Sequence, residues 1–350
     1  MPATPDEGNT PDHGALPRSC GRDPRCRCVP GQSVASDLET LLASPGFTGT
    51  LLGAEPFDIG AHLPHLDQVV GVTVAGPVVM NDVGTHEAPV APGGPIRCDP
   101  SRITLRLNPS RLGSALVTEP AAHVPPTLRF FDADGNTSHA TYLTERSDRL
   151  AFEAIALAGK DPASTDDAGI DDPEQGWEAQ AWQEQSWQER GWEVPSLACA
   201  DDDQITQFDS ILADGGHSRR LQLPTLGDAG FTRIDNRRVI AALEHAALMG
   251  MPMTIATAAP GCVQMRHDQL DGVREHRGQM VIASGTCRAM INFGLVTESW
   301  ITWSEGVWGR TGSIEIYDRH GACSLIITQT GPVAEPVFQA WDHLMTDLAV

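Results

Sequence analysis

Three cysteines near the amino terminus have the residue type and the spacing for metal or redox chemistry. Cys20, Cys26 and Cys28 lie close together in SCGRDPRCRC, and thiolates are common ligands of zinc. A structural zinc site needs four ligands, usually as two pairs, and the sequence shows neither a fourth ligand nor a second pair. Free thiols in a disordered tail are therefore the favoured interpretation, with metal binding as the alternative.

A pair of histidines in HLPH also has a spacing that metal sites use. His62 and His65 are the two side chains concerned, but two ligands without further partners do not define a site. The sequence contains no glycine-rich phosphate loop, no HExxH pattern and no GxSxG motif. Scattered Ser, His and Asp residues do not assign a catalytic triad, so whether the protein is an enzyme is left open by these residues.

Composition limits the kinds of partner. The chain has 350 residues and a formal net charge of −22, which allows two ordinary domains and repels phosphate backbones and anionic lipids. Nucleic acid and membrane partners are therefore not expected. The sequence has no apolar run of about 18 residues and no apolar segment near its start, so neither a membrane span nor a secretory signal is predicted. We expect a cytoplasmic protein.

The chain divides into four segments by composition. Residues 1–34 are too polar to bury a core and are predicted to be a disordered tail, and residues 161–203 are predicted to be a linker. The segments are a tail at 1–34, a first repeat at 35–160, an acidic Trp-rich linker at 161–203 and a second repeat at 204–350.

The linker is unusual in charge and in aromatic content. Residues 160–203 contain 13 acidic and 2 basic side chains, which is half of the net charge. Its tryptophans recur every five residues, so on a helix they would spiral and share no face; they are Trp177, Trp182, Trp187 and Trp192. The linker is read either as a segment that binds a protein partner or as a low-complexity insertion.

Hydrophobic periodicity predicts an α+β protein. Apolar spacing predicts a helix in DNRRVIAALEHAALMG that ends at Gly250, and alternation predicts strands in segments such as QVVGVTVAG and QMVIASG. The segments 127–144 and 313–328 align at an offset of 186, with Asp132 on Asp318 and Gly135 on Gly321. Each predicts a hairpin followed by a closing helix. We predict two tandem structural repeats, each a mainly antiparallel sheet covered by helices on one side.

The same segments resemble the haemin-degrading family of haem-utilisation proteins (HemS, HmuS and ChuS type). TLRFFDADGNTSHATYLTERSD is similar to the family's first hairpin, and RVIAALEHAALMGMPMTIATAAPGCVQMRHDQLDGVREHRGQMVIASG to a helix, a strand, a Gly-Cys-Ile-Gln strand and a short helix in order. The resemblance covers residues 36–160 and 204–350. It implies haem as the ligand, held beside the second repeat, in a family that includes haem-degrading enzymes and intracellular haem carriers.

The resemblance also implies where haem-binding side chains would lie. Haem needs an axial iron ligand, cations for its propionates, a polar distal group and apolar walls. The position of the family's axial histidine falls on Thr206, and a hydroxyl is a poor ligand for ferric haem. Other polar positions of the family fall on Ser304, Ile326, Thr328 and Gly331, whereas Arg106 matches the distal arginine. An ordinary ion pair at the strand edge is the alternative interpretation of Arg106.

If haem binds, another side chain must replace the missing histidine. His217 in ADGGHSRR is the candidate iron ligand, because Arg219 and Arg220 beside it would suit the propionates. The alternative is a solvated turn. His139 lies on the predicted hairpin of the first repeat and His267 follows a predicted strand, and each is more typical of a core or edge histidine than of a ligand.

Two functions follow from these observations. The first is the handling of haem or a related tetrapyrrole with weakened or altered ligation, using Arg106, Thr206 and His217 as cofactor-binding residues and His217 as the metal ligand. The second is a non-catalytic scaffold that keeps the fold but has lost haem. An open apolar slot near Thr206 and Arg106 would favour the first function, and a slot filled by side chains such as Ile326 would favour the second.

Overall fold

The computed structural model describes residues 35–120, 124–159, 203–225, 231–331 and 333–350. The N-terminal cysteine cluster and the tryptophan repeat, with the expectations attached to them, lie outside these ranges. Within them the protein is an α+β structure built on one large, mainly antiparallel sheet. The α+β prediction is confirmed.

The first half contains seven described strands and three helices. Their bounds are α1 Asp37–Leu42, β1 Gly49–Leu52, α2 Pro56–Gly60, β2 Asp67–Ala75, β3 Val78–His86, β4 Arg102–Leu107, β5 Leu112–Thr118, β6 Thr127–Asp132, β7 Thr137–Ser147 and α3 Arg149–Ala158.

The second half contains eight described strands and four helices. Their bounds are α4 Gln204–Asp214, α5 His217–Gln222, β8 Thr232–Ile234, α6 Asn236–Leu248, β9 Pro252–Ala259, β10 Cys262–His276, β11 Gln279–Ser284, β12 Cys287–Ile291, β13 Val296–Gly306, β14 Gly309–Asp318, β15 Cys323–Thr328 and α7 Glu335–Ala349.

The same order of strands occurs in both halves. In the first half it is β1-β5-β6-β7-β2-β3, and in the second it is β8-β13-β14-β15-β9-β10. The halves are joined by a reciprocal exchange, since β12 pairs with β3 of the first half and β4 pairs with β10 of the second. Both pairings are antiparallel, so the two halves share one hydrogen-bonded sheet.

The two predicted hairpins are confirmed, and both use an aspartate to build the turn. In the first, Asp132 Oδ1 accepts hydrogen bonds from the backbone N–H groups of Asp134 and Asn136. In the second, Asp318 Oδ1 accepts from the backbone N–H groups two and four residues further on, at 2.8 and 3.0 Å. A glycine with positive φ completes each turn, Gly135 at 79° and Gly321 at 82°.

One helix expected from the family resemblance is absent. The short helix expected after the Gly-Cys strand is replaced by β10, which runs unbroken from Cys262 to His276 and pairs with β11. The loop consists of Arg277 and Gly278, which have φ values of 52° and 78°. Positive φ at both central residues is the geometry of a tight β-hairpin turn, so this segment folds as a hairpin.

The second half also differs from the predicted one-sided layer. Leu325 and Ile327 on β15 pack in the core formed with α6 and α7. Ile326 between them packs in a second cluster with Phe208 and Ile211 of α4. Neighbouring side chains of a strand point to opposite faces, so helices cover both faces of this half of the sheet.

Candidate functional site

The interface under α4 contains a buried polar network centred on one glutamine. The Gln207 side chain is fully buried, and its amide N–H group donates to Glu315 at 2.8 Å and to Thr302 at 3.3 Å. Its amide oxygen accepts from the hydroxyls of Ser304 and Ser313 at 3.0 and 3.3 Å. One α4 side chain therefore hydrogen-bonds to side chains of both β13 and β14.

Glu315 is the charged centre of this network. Arg219 Nε donates to Glu315 Oε1 at 2.9 Å, and hydroxyls of Thr302 and Tyr317 donate at 2.7 and 2.6 Å. Burial alone would raise the pKa of Glu315, but the Arg219 guanidinium and the donated hydrogen bonds hold it below its usual value. Burial, with the charge of Glu315, raises the pKa of Tyr317. The Glu315 carboxylate is therefore ionised and the Tyr317 phenol protonated, and the phenol donates its hydrogen bond to the carboxylate.

Arg106 is fully buried and joins the two halves through an ion pair with Asp209 of α4. Its Nε and Nη2 atoms donate to Asp209 Oδ1 at 3.1 and 2.5 Å. Its Nη1 atom donates to the carbonyl oxygens of Gly94 and Pro95, and the Gly93 N–H donates to Asp209 Oδ2 at 2.6 Å. The guanidinium that the sequence offered to a ligand is thus bonded to the protein's own carboxylate.

The histidine proposed as an iron ligand lies on the surface. His217 is exposed at the first position of α5. Both neighbouring guanidinium groups are held by carboxylates: Arg219 pairs with the buried Glu315, and Arg220 pairs with Glu298 at 2.7 Å. The predicted grouping of one imidazole with two arginines available to propionates is therefore not formed in this conformation.

The space expected to hold a planar ligand is filled. Ile326 and Thr328 are fully buried, Ser304 is almost so, and the Ser304 hydroxyl is hydrogen-bonded within the network under α4. Thr206 is half-buried, and its backbone N–H donates to the Asp203 side chain that caps α4. The slot that the sequence placed near Thr206 and Arg106 is therefore filled by side chains such as Ile326.

Two further histidines form a buried pair, of which the sequence drew attention to only one. His139 Nδ1 lies 2.9 Å from the Thr73 hydroxyl, and the Nε2 atoms of His139 and His86 lie 3.2 and 3.1 Å from the Thr141 hydroxyl. Burial lowers the pKa of His86 to about 3 and that of His139 well below its usual value. Both rings are neutral core residues, which confirms the core interpretation of His139.

The remaining metal candidates gain no partners. His62 and His65 have ring centroids 6.1 Å apart, and His267 is hydrogen-bonded to Thr254 at 3.0 Å. In the described ranges no group of three His, Cys, Asp or Glu side chains could hold a metal ion. The metal reading of HLPH therefore finds no further ligand there.

A cavity of about 200 Å³ lies away from α4, between the β2–β3 turn and the β14–β15 turn. Gly76, Pro77, Asp318, His320 and Ser324 are among its lining residues. Pockets for drug-sized ligands usually measure about 300–1,000 Å³. This cavity is therefore too small for a tetrapyrrole ring.

Three residues of the candidate site were not singled out from the sequence. Gln207, Asp209 and Glu315 supply the polar contacts under α4, and none belongs to a recognisable motif. A weak signal existed for Glu315, because a lone carboxylate stands between two isoleucines in the strand SIEIYD. A charge at such a position is either exposed or paired in the core, but the sequence does not say with what.

Comparisons with known proteins identify the architecture. No protein-family model and no curated protein sequence matches the chain. The structure of holo-PhuS, a haem-binding protein from Pseudomonas aeruginosa, superposes with a TM-score of 0.65 at 18% identity, covering 86% of this chain and 87% of PhuS. ChuS, a haem oxygenase from E. coli, gives a TM-score of 0.65 at 18% identity, covering 86% and 88%. The chain has the ChuS and PhuS fold.

The likeness to ChuS and PhuS supports the α+β fold that the family resemblance implied. The superpositions cover 86% of the chain, so the shared fold includes parts of both halves. At 18% identity the likeness concerns the fold. No helix in the described part of the chain combines the length and apolar character that crossing a bilayer requires.

Proposed function

We propose that this protein belongs to the haem-utilisation family of ChuS and PhuS and handles haem or a related tetrapyrrole in the cytoplasm, with weakened or altered ligation. The observation that carries the proposal is the superposition with a haem-binding protein and a haem oxygenase over 86% of the chain. The repeated strand order supports a duplicated unit, with tandem repeats at 35–160 and 204–350 joined by a linker.

Weakened ligation follows from the side chains under α4. A hydroxyl stands at Thr206, where the family resemblance implies an imidazole, and oxygen donors of this kind bind ferric haem poorly. The polar groups around it are already satisfied within the protein. We propose the solvent-exposed His217 as the replacement iron ligand and Arg106 as the partner of a propionate once Asp209 is displaced.

A haemin titration followed by the Soret band tests this function. The wild type is expected to give a saturable shift at one haem per chain, and His217→Ala should weaken it at least tenfold. His320→Ala is the matched control, because His320 is another exposed histidine next to a turn of the same half. The absence of any saturable shift in the wild type would contradict haem handling, and equal weakening by both variants would remove His217 as the ligand.

A second function is favoured by one observation, the filled space around Ile326. A non-catalytic scaffold that keeps the fold has no need of an open cleft, and the tryptophan repeat would then supply the contact with a protein partner. Deletion of 165–200 should abolish binding of that partner while leaving the melting temperature unchanged. Stoichiometric haem binding with a nitrogen ligand would count against this second function.

A further inference from the structure

The helix α4 covers both an apolar part of the sheet and the polar network around Gln207, and its buried charge, Asp209, is paired with Arg106. We infer that α4 is a releasable cover, clamped by the Asp209–Arg106 ion pair, over a latent surface that binds an apolar ligand bearing a carboxylate. The inference rests on the proposed function and deepens it, because it names the chemistry that opens the same site.

The surface under α4 suits a flat apolar ligand. Phe208 and Ile211 of α4 pack in the same buried cluster as Ala256 and Ala258 of β9 and Trp300 of β13. Alanine side chains project little from the sheet, and the Trp300 indole presents a broad apolar surface. If α4 moved away, this surface would be exposed to water, which is unfavourable unless another apolar group covers it.

The ion pair decides which apolar group can replace the helix. The side chains of Arg106 and Asp209 are 1% and 8% exposed, and removal of one partner from such a pair leaves a buried charge without compensation. A ligand that displaces Asp209 must therefore bring a carboxylate of its own. The Nε and Nη2 atoms of Arg106 both donate to Asp209 Oδ1, and carboxylates bind well to this face of a guanidinium.

The other polar anchors of α4 are the neutral side chains of Gln204 and Gln207, which can be released without a change in charge. Gln207 contributes a neutral amide to the network, whereas Glu315 is neutralised by Arg219, which belongs to α5. Neither partner of that ion pair belongs to α4, so release of α4 alone does not require the pair to separate. Asp209 is therefore the α4 charge that must be exchanged, and it acts as an internal stand-in for the carboxylate of the ligand.

The test combines hydrogen exchange with porphyrin binding. Asp209→Asn keeps the shape of the side chain and removes its charge, and Glu298→Gln is the matched control, because it removes the carboxylate paired with Arg220 of α5. The probes are iron-free protoporphyrin IX, which has two carboxylates, and its dimethyl ester, which has none. In Asp209→Asn, the amides of 204–214 should exchange at least tenfold faster than in the wild type.

The same variant should bind protoporphyrin IX at least tenfold more tightly, because the apparent affinity rises with the population of the open form. The wild type should prefer protoporphyrin IX over its dimethyl ester, because the ester brings no carboxylate to Arg106. Glu298→Gln should change neither measurement. Unchanged exchange in Asp209→Asn, or equal affinity of the wild type for protoporphyrin IX and its ester, would overturn the inference. If Asp209→Asn does not fold, a double variant, Arg106→Met with Asp209→Leu, replaces the ion pair by apolar groups. It should lose the preference of the wild type for protoporphyrin IX over the dimethyl ester. A retained preference would overturn the inference.

The outcome for haemin is separate. Positive results with protoporphyrin IX but no saturable haemin binding would support the cover and refute haem as the ligand. Saturable haemin binding without any effect of Asp209→Asn would leave the proposed function standing and refute the cover.

Discussion

Replacing Glu315 by glutamine is the perturbation that best measures how firmly the space under α4 is closed. The substitution keeps the size of the side chain but removes the charge opposite Arg219, and both side chains of this pair are 0% exposed. The guanidinium would then be buried without a counter-ion. Breaking a buried ion pair in this way typically costs about 3–5 kcal/mol of the free energy of unfolding.

The magnitude can be calibrated within the same protein. The pair of Arg220 with Glu298 has the same residue types and a distance of 2.7 Å, but its side chains are 30% and 13% exposed. For a pair with this access to water we expect Glu298→Gln to cost about 0–1 kcal/mol. The difference between the variants, about 3 kcal/mol, therefore reports burial rather than the chemistry of the pair.

Urea unfolding at neutral pH, followed by far-ultraviolet circular dichroism, measures both variants against the wild type. The Glu315→Gln protein should unfold at a clearly lower urea concentration with an unchanged slope. Equal and small losses in the two variants would refute the reasoning, because they would mean that water reaches Arg219 and that the interface under α4 is open in solution.

Two further predictions concern the cores of the two halves. The pKa values of His86 and His139 lie far below 6.5 in the folded state, so below pH 6.5 the unfolded state binds more protons than the folded state does. These rings therefore leave the free energy of unfolding unchanged above that pH and lower it below that pH by about 1.4 kcal/mol per pH unit per ring. Urea unfolding at several pH values should show a shallower pH dependence for His139→Leu, and an identical dependence would exclude this origin. Trp341 is fully buried and its indole N–H donates to a backbone carbonyl at 2.8 Å, so Trp341→Ala should lower the free energy of unfolding by about 3–5 kcal/mol. Trp308 is exposed, so Trp308→Ala should lower it by less than about 0.5 kcal/mol. Comparable losses of the two variants in urea unfolding would contradict the packing of α7.

Local chemistry made the hairpins and helix ends predictable from the sequence. Asp132 and Gly135, repeated at Asp318 and Gly321, specify tight turns through one side-chain acceptor and one positive φ. Asp235 caps α6, and Gly250, with a φ of 60°, follows its end. These signals act between residues close in the chain, so no tertiary information is needed to read them.

The site was less predictable, because it depends on residues that are distant in the chain. An ion pair was one of the two interpretations of Arg106, but its partner could not be named from the sequence because Asp209 lies 103 positions away. The exchange of β4 and β12 between the halves leaves no local signature either, since each strand has the same pattern whichever edge it joins. The coverage of both sheet faces was missed because a strand buried on two sides shows no alternation.

The coordination of ferric haem by the wild-type protein is the most direct test of the central claim, which is that side chains of the chain itself close the space under α4 and that Thr206 offers iron no strong ligand. Absorption and resonance Raman spectra of the haemin complex at neutral pH should show weak binding that is unaffected by Thr206→Ala. A tightly bound, nitrogen-ligated haem whose spectrum changes with substitutions around Thr206 and Ser304 would contradict the account.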